Sequence, residues 1–181
     1  MHDGGFRLKT IIEMIKEIAI VVLICLLFFS FILSQNKIPS GSMISTLNIN
    51  DRILVSPIPF YYRNPNRGEI VVFHQEDKMW VKRVVGMPGD IIDIREGDVY
   101  INDIFYDEQT YLKNTGISTP NSPWDEPVEF PYKVPEDHYF LMGDNRMDSK
   151  DSRYIGAVSR DEIVGTPIFR IYPFNQIGPM K

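Results

Sequence analysis

Cysteine is nearly absent. Cys25 is the only one in 181 residues, so no intramolecular disulfide can form and no thiolate-built zinc site is available. Histidine is almost as scarce: His2, His74 and His138 are scattered without ligand spacing. Chemistry must come from oxygen and nitrogen side chains, and neither a metal nor a cofactor is expected. A basic excess is also missing, since 19 Lys+Arg stand against 24 Asp+Glu for a formal charge of -5. That balance argues against nucleic acid as a partner. With 44% hydrophobic and 24% charged residues, the chain is neither a disordered tail nor a multi-span transporter. Its length suits one domain with residues to spare for an anchor.

What is there begins with one uneven apolar run. Ile18–Leu33 reads IAIVVLICLLFFSFIL, and no charge follows until Lys37. The uncharged stretch Ile18–Asn36 makes roughly 28 Å of helix at about 1.5 Å per residue, close to the ~30 Å hydrocarbon core. A buried core helix would keep a polar stripe, and only Cys25 and Ser30 interrupt this run. Ser34-Gln35-Asn36-Lys37-Ile38-Pro39 offers no small-residue cleavage site, so an uncleaved signal anchor is expected. Arg7, Lys9 and Lys16 before the run, against Lys37 after it, favour an inside N-terminus. The expected organisation is a cytoplasmic segment 1–17, a transmembrane anchor 18–36 and an extracytoplasmic domain 37–181, in a single-pass protein of the cell membrane. Residues 8–17 carry helical apolar spacing and extend the anchor helix.

Beyond Lys37 the texture is strand-like, in short apolar or alternating runs broken by turn residues. Strands are expected at Arg52–Ser56, Glu69–His74, Met79–Val85, Ile91–Ile94, Val99–Asn102, Ile104–Tyr106, His138–Met142 and Ile163–Tyr172. Asn102-Asp103 reads as a tight hairpin and Pro88-Gly89 as a turn. The fold class is therefore mainly β: one N-terminal transmembrane helix followed by an all-β domain. Residues 107–135 hold five prolines and few apolar runs, and read as a long surface insertion between strands. Phe60-Tyr61-Tyr62, bracketed by Pro57, Pro59 and Pro65, reads as an irregular loop whose rings could dip into a lipid interface.

Three motifs could carry chemistry. In Pro39-Ser40-Gly41-Ser42-Met43, a tight turn could present Ser42 as a nucleophile, its N–H and the Ser40 hydroxyl facing a developing oxyanion. Taken alone, Pro, Ser and Gly together also describe an ordinary turn. A serine needs a base, and neither His74 nor His138 stands in a distinctive setting. In the second motif, Met79–Asp90, alternation puts Lys82 on one strand face with Trp80 and Val84, and Arg83 on the other. Burial there would favour the neutral amine. At an ordinary pKa only about one Lys in 2,500 is neutral at pH 7, and a downward shift of about two units raises that roughly a hundredfold. The competing description is a strand lysine reaching past apolar neighbours to water. The third motif, Gly143–Tyr154, is too polar to be buried without pairing. It could supply an Asp for Arg83, a hydroxyl for the Lys82 amine and an Asp–Arg pair to fix the loop.

In this order, after an N-terminal anchor, PSGSM, KRVVGMPGD and GDNRMDSKDSRY resemble bacterial type I signal peptidases, in the short form with one span. The resemblance covers nearly the whole chain to about Gly165. It implies a Ser–Lys serine endopeptidase on an all-β domain that removes signal peptides of secretory preproteins after A-x-A sites, beside a lipid bilayer and without metal. Motif by motif it implies Ser42 as nucleophile, Lys82 as base, and Ser40 with Ser42 as the oxyanion hole. Ser149 matches the hydroxyl that orients the lysine, Asp144 and Arg83 a supporting ion pair, and Asp151 and Arg153 the pair that holds the loop. Ile38, Pro39, Met43, Leu47, Trp80 and Val81 flank the dyad as expected walls of pockets for small substrate residues.

The sequence departs from the family where Met43-Ile44-Ser45-Thr46-Leu47 replaces Met-x-Pro-Thr-Leu, and where Ile155 stands in an often aromatic position. Ser45 removes the φ restraint a proline would bring. A self-cleaving Ser–Lys repressor would need a DNA-binding helix-turn-helix, and the chain has an apolar run instead. A non-catalytic relative acting as an assembly factor for exported proteins is the alternative function, against which Ser42, Lys82 and Ser149 all speak.

Overall fold

In the computed structural model of the chain, residues 4–32, 34–109, 111–112 and 127–180 are described. Side chains within the first helix are described for residues 9–26. The chain divides into two compact units, Met1–Ser34 and Gln35–Lys181.

The first unit is the helix α1, Gly4–Ile32. Its start upstream of Ile18 agrees with the apolar spacing of residues 8–17. The expected bounds of the anchor change at the other end, because Ser34–Lys37 forms strand β1 rather than helix. Gln35 and Asn36 are polar and belong to the second unit, where β1 stands beside β2 at the edge of the larger sheet. Among the described residues no helix is long and apolar enough to cross a membrane. The side chains of Leu27–Leu33, the second half of the apolar run, lie outside that description.

The second unit is built of strands, and its turns follow from local chemistry. In chain order they are β2 (Arg52–Ser56), β3 (Ile70–Gln75), β4 (Lys78–Gly86), β5 (Ile91–Arg95), β6 (Asp98–Ile101), β7 (Ile104–Phe105), β8 (Tyr132–Lys133), β9 (His138–Met142), β10 (Val158–Ser159), β11 (Ile163–Tyr172) and β12 (Gly178–Pro179). Two one-turn helices, α2 (Pro59–Tyr62) and α3 (Ser152–Ile155), interrupt them. Asn102 and Asp103 take φ of 54° and 65°, the paired left-handed values that a two-residue hairpin requires. Pro88-Gly89 forms a turn closed by the Asp90 N–H on Met87 O at 3.0 Å, with Gly89 at φ 84°, where a side chain would be strained.

All eight expected strands form, some with ends moved by a residue or two. The four additional ones (β1, β8, β10, β12) are too short or too polar to announce themselves. The larger sheet runs β1-β2-β11-β3-β4-β9-β10, with β12 on β11; the smaller runs β7-β6-β5-β8. Val71, Phe73, Val84, Tyr139 and Leu141 fill one apolar cluster of the larger sheet. Val85, Ile92, Val99, Phe140 and Met142 tie the two sheets together. Each buried aliphatic side chain of this kind contributes roughly 1.5–3 kcal/mol.

The surface insertion expected over residues 107–135 is corrected at both ends. Glu108 and Val134 are buried, and Tyr132–Lys133 pairs with β5 as β8. A buried acid needs a partner, and Glu108 has one in Arg146. Residues 110 and 113–126 lie outside the described residues. Phe60 likewise turns inward, while Tyr61 and Tyr62 remain exposed.

This topology sets up a site. β4 pairs with β3 on one side and with β9 on the other, with Arg83 opposite Met142. The polar segment that follows β9 therefore emerges beside Lys82 and Arg83.

Candidate active site

Ser42 lies in the loop between β1 and β2. Two backbone hydrogen bonds close its base: the Ile38 N–H donates to Asp51 O and the Asn50 N–H to Ile38 O, both at 2.9 Å. Met43 and Leu47 are sunk into an apolar cluster with Ile38, Ile53, Val55, Ile70 and Val72. With these anchors beneath, the Ile44 N–H donates to Gly41 O at 3.1 Å and the Leu47 N–H to Met43 O at 2.7 Å. The turn presents Ser42 with 8% of its surface exposed.

Lys82 reaches Ser42 from β4. Its Nζ donates to Ser42 Oγ at 2.6 Å and lies 5.4 Å from the Trp80 ring centre, as strand alternation predicts. Only 4% of Lys82 is exposed. That burial disfavours the ammonium and brings its pKa down from 10.5 to about 8; the Arg153 charge adds to the fall, and the Asp151, Asp144 and Asp148 carboxylates oppose it.

The segment after β9 supports both groups. Arg83 donates from Nε to Asp144 Oδ1 at 2.8 Å and from Nη2 to Oδ2 at 2.6 Å, a bidentate pair with Asp144 fully buried. Asp151 accepts from Arg153 Nε at 2.8 Å and Nη2 at 2.9 Å, from the Gly143 N–H at 2.9 Å and from the Ser149 hydroxyl at 2.7 Å. Burial alone would raise the Asp151 carboxyl, but the Arg153 charge and these donors hold it below the usual carboxylate range. The Ser149 hydroxyl is thus spent on Asp151, which sets the loop, and makes no hydrogen bond to Lys82.

Four residues in this construction were not singled out from the sequence. The Asn145 N–H donates to the Ser42 carbonyl at 2.9 Å, and its Nδ2 to Gly41 O at 3.1 Å. The Thr46 hydroxyl donates to Asp144 Oδ2 at 2.5 Å, joining the nucleophile turn to the Arg83 pair. Gly143 has no room for a side chain: a Cβ there would lie 2.2 Å from Ser149 Oγ and 2.6 Å from Ser42 O. Glu108 pairs with buried Arg146 through both oxygens, and Arg146 Nε donates to Gly143 O at 2.9 Å. Asn145 and Gly143 sit inside a quoted motif, so their signal was present. Glu108 stands 38 residues from its partner, where no local pattern reaches.

A cleft of about 540 Å³ opens on the Ser42–Lys82 pair. Ile38, Pro39, Met43, Trp80 and Val81 line it as expected; Val72, Met79 and Ser40 join them. Leu47 does not, being fully buried in the cluster behind the turn. Ser40 is exposed on the cleft wall. His74 is exposed at the end of β3, and His138 Nδ1 contacts Glu136 O at 2.7 Å; Ser42 bonds to neither. Among the described residues no group of three His, Cys, Asp or Glu is placed to hold a metal ion.

The all-β second unit thus carries a buried lysine against a serine in an apolar cleft, and comparison with known proteins places the chain. Residues 11–172 match the family described as signal peptidase, peptidase S26. The chain is 37% identical to signal peptidase I S of Bacillus subtilis, covering 93% of each protein. It is 34% identical to signal peptidase I of Leptolyngbya laminosa, covering 94% of this chain and 84% of that protein. A crystal structure of a signal peptidase I from Enterococcus faecalis is 29% identical over 57% of this chain and 97% of that one, with a TM-score of 0.46. The chain belongs to the signal peptidase family, peptidase S26, and is a hydrolase of the signal peptidase I type.

Proposed function

We propose that this protein removes signal peptides from secretory preproteins with Ser42 as nucleophile and Lys82 as general base. The observation that carries the reading is the 2.6 Å contact of Lys82 Nζ with Ser42 Oγ at the floor of the cleft. With a pKa of about 8, roughly one lysine in ten is neutral at pH 7. That neutral amine accepts the Ser42 proton as Oγ attacks the carbonyl at the cleavage site. The Ser42 N–H and the Ser40 hydroxyl face the resulting oxyanion. As the C–N bond breaks, Lys82 returns the proton to the leaving amine. Water then attacks the acyl-enzyme, giving a proton to Lys82, which passes it to Ser42 Oγ as the acyl–oxygen bond breaks.

The supporting groups keep this geometry fixed. Asp144 with Arg83 and Thr46, and Asp151 with Arg153, Ser149 and Gly143, hold the two segments that flank Lys82. Asn145 holds the Ser42 carbonyl, so the nucleophile cannot swing away. The apolar walls suit the small residues of an A-x-A site at positions −1 and −3. The apolar run from Ile18, within α1, seats the chain in a lipid bilayer with its N-terminus inside. A membrane-bound precursor then meets the cleft at high effective concentration, so weak binding is enough.

The test is product mass after mixing the detergent-solubilised protein with a precursor bearing an A-x-A site. Cutting after the second Ala, lost in Ser42→Ala and in Lys82→Ala, is the expected result. Activity surviving Lys82→Ala would move the base to a histidine. No cut by the folded parent would leave the assembly-factor role.

A further inference from the structure

The turn that presents Ser42 is held from behind by a residue outside every motif so far described. Arg170 lies on β11 opposite Ile53 of β2. Its Nη2 donates to the Thr46 carbonyl and its Nη1 to the Gln176 side chain. Its Nε lies 3.3 Å from Asp51 Oδ2. Asp51 is itself buried, accepts the Asn48 N–H on the same oxygen at 3.0 Å, and forms the base of the loop through its carbonyl. One guanidinium therefore spans the loop, ion-paired with Asp51 at its base, without a hydrogen bond from Nε, and hydrogen-bonded to the Thr46 carbonyl at its far side. The planar fork of arginine makes such a two-point bridge, and lysine cannot reproduce it.

Resting on the Ser42–Lys82 reading, we propose that Arg170 is a positioning residue for the nucleophile: it restrains the backbone of the 43–47 turn that no proline restrains here. Arg170 does not line the cleft and does not appear among the charges that set the Lys82 pKa. Its loss therefore loosens Ser42 without changing substrate contacts or the base. Ser45 provides an internal control. Its N–H makes no hydrogen bond and its side chain is exposed, so a proline there removes no bond and supplies a φ restraint of its own.

The experiment is a double-mutant cycle in the full chain, with kcat and KM measured on the same precursor. Arg170→Gln lowers kcat about tenfold, with KM within twofold and the midpoint of the kcat–pH profile unmoved. In a Ser45→Pro background the same change costs less than threefold. Arg170→Lys falls between, and serves in place of Arg170→Gln if thermal melting shows the latter unfolded. An equal loss in both backgrounds, a loss confined to KM, or no loss in a folded variant overturns the proposal. Ser42→Ala and Lys82→Ala run beside them: if those retain activity the dyad reading fails, whatever Arg170 does. If they are inactive and Arg170→Gln is not impaired, only the brace fails.

Discussion

Replacing Lys82 by Met should make the protein inactive and more stable. The ammonium is buried against Trp80, and its pKa falls from 10.5 to about 8. A gap of about two and a half units corresponds to about 3 kcal/mol of folding free energy lost at neutral pH by keeping the charged form inside. The folded chain releases this proton near pH 8 and the unfolded chain near 10.5. Between those values the unfolded state binds more protons, so the parent gains stability as pH rises through the window. Methionine fills similar volume without a charge, and forfeits the hydrogen bond to Ser42, worth about 1 kcal/mol. The expected outcome is a gain of about 2 kcal/mol for Lys82→Met at pH 7, disappearing by about pH 10.5. Denaturant unfolding of parent and variant at pH 7, 9 and 10.5 reads it directly. A variant no more stable than the parent at pH 7, or a gap that does not shrink with pH, would refute the claim that the lysine is held at a cost.

Four further outcomes follow from the same geometry. The parent kcat should rise about tenfold per pH unit below about 8 and level off above it. Asp148→Asn should move that limb to lower pH, because Asp148 holds the Lys82 pKa up; a pH-rate series on a peptide substrate checks both. Gly143→Ala places a methyl 2.6 Å from the Ser42 carbonyl, and an ångström-scale displacement there should lower kcat about a hundredfold, measured under saturating substrate. Glu108→Ala leaves Arg146 buried without its carboxylate and should cost about 3–5 kcal/mol of stability, seen as a lower melting temperature; Glu108→Gln should lose less.

Most of the strand pattern could be read from the chain because the strands alternate or run apolar between strong turn residues. Lys82 on the Trp80 face and Arg83 on the opposite face follow from a period of two alone. Ser42, Lys82 and the Asp151–Arg153 pair were reached through motifs, and the structure brings all of them to one place. What escaped was held by contacts between distant segments. Thr46 and Asp144 are 98 residues apart, Arg170 and Thr46 are 124 apart, and nothing local marks either pair. The insertion misled for a related reason: its prolines and polar residues describe a surface, but Glu108 is drawn inward by an arginine from another strand's end. Ser149 was reached through its motif as well, but that its hydroxyl donates to a carboxylate two residues on could not be read from the chain.

The position of β11 in the larger sheet has a consequence for timing. Residues 163–172 insert between β2 and β3, so within the larger sheet β2, which follows the Ser42 loop, reaches β3 and the Lys82 strand β4 through a strand that comes late in the chain. A chain emerging from the ribosome holds both reactive groups long before it holds the element that brings them within 2.6 Å. On the Ser42–Lys82 reading, a copy should therefore stay inactive until β11 has docked between β2 and β3. A copy halted before residue 163 should process no precursor, whereas adding residues 163–181 as a separate peptide should recover measurable cutting.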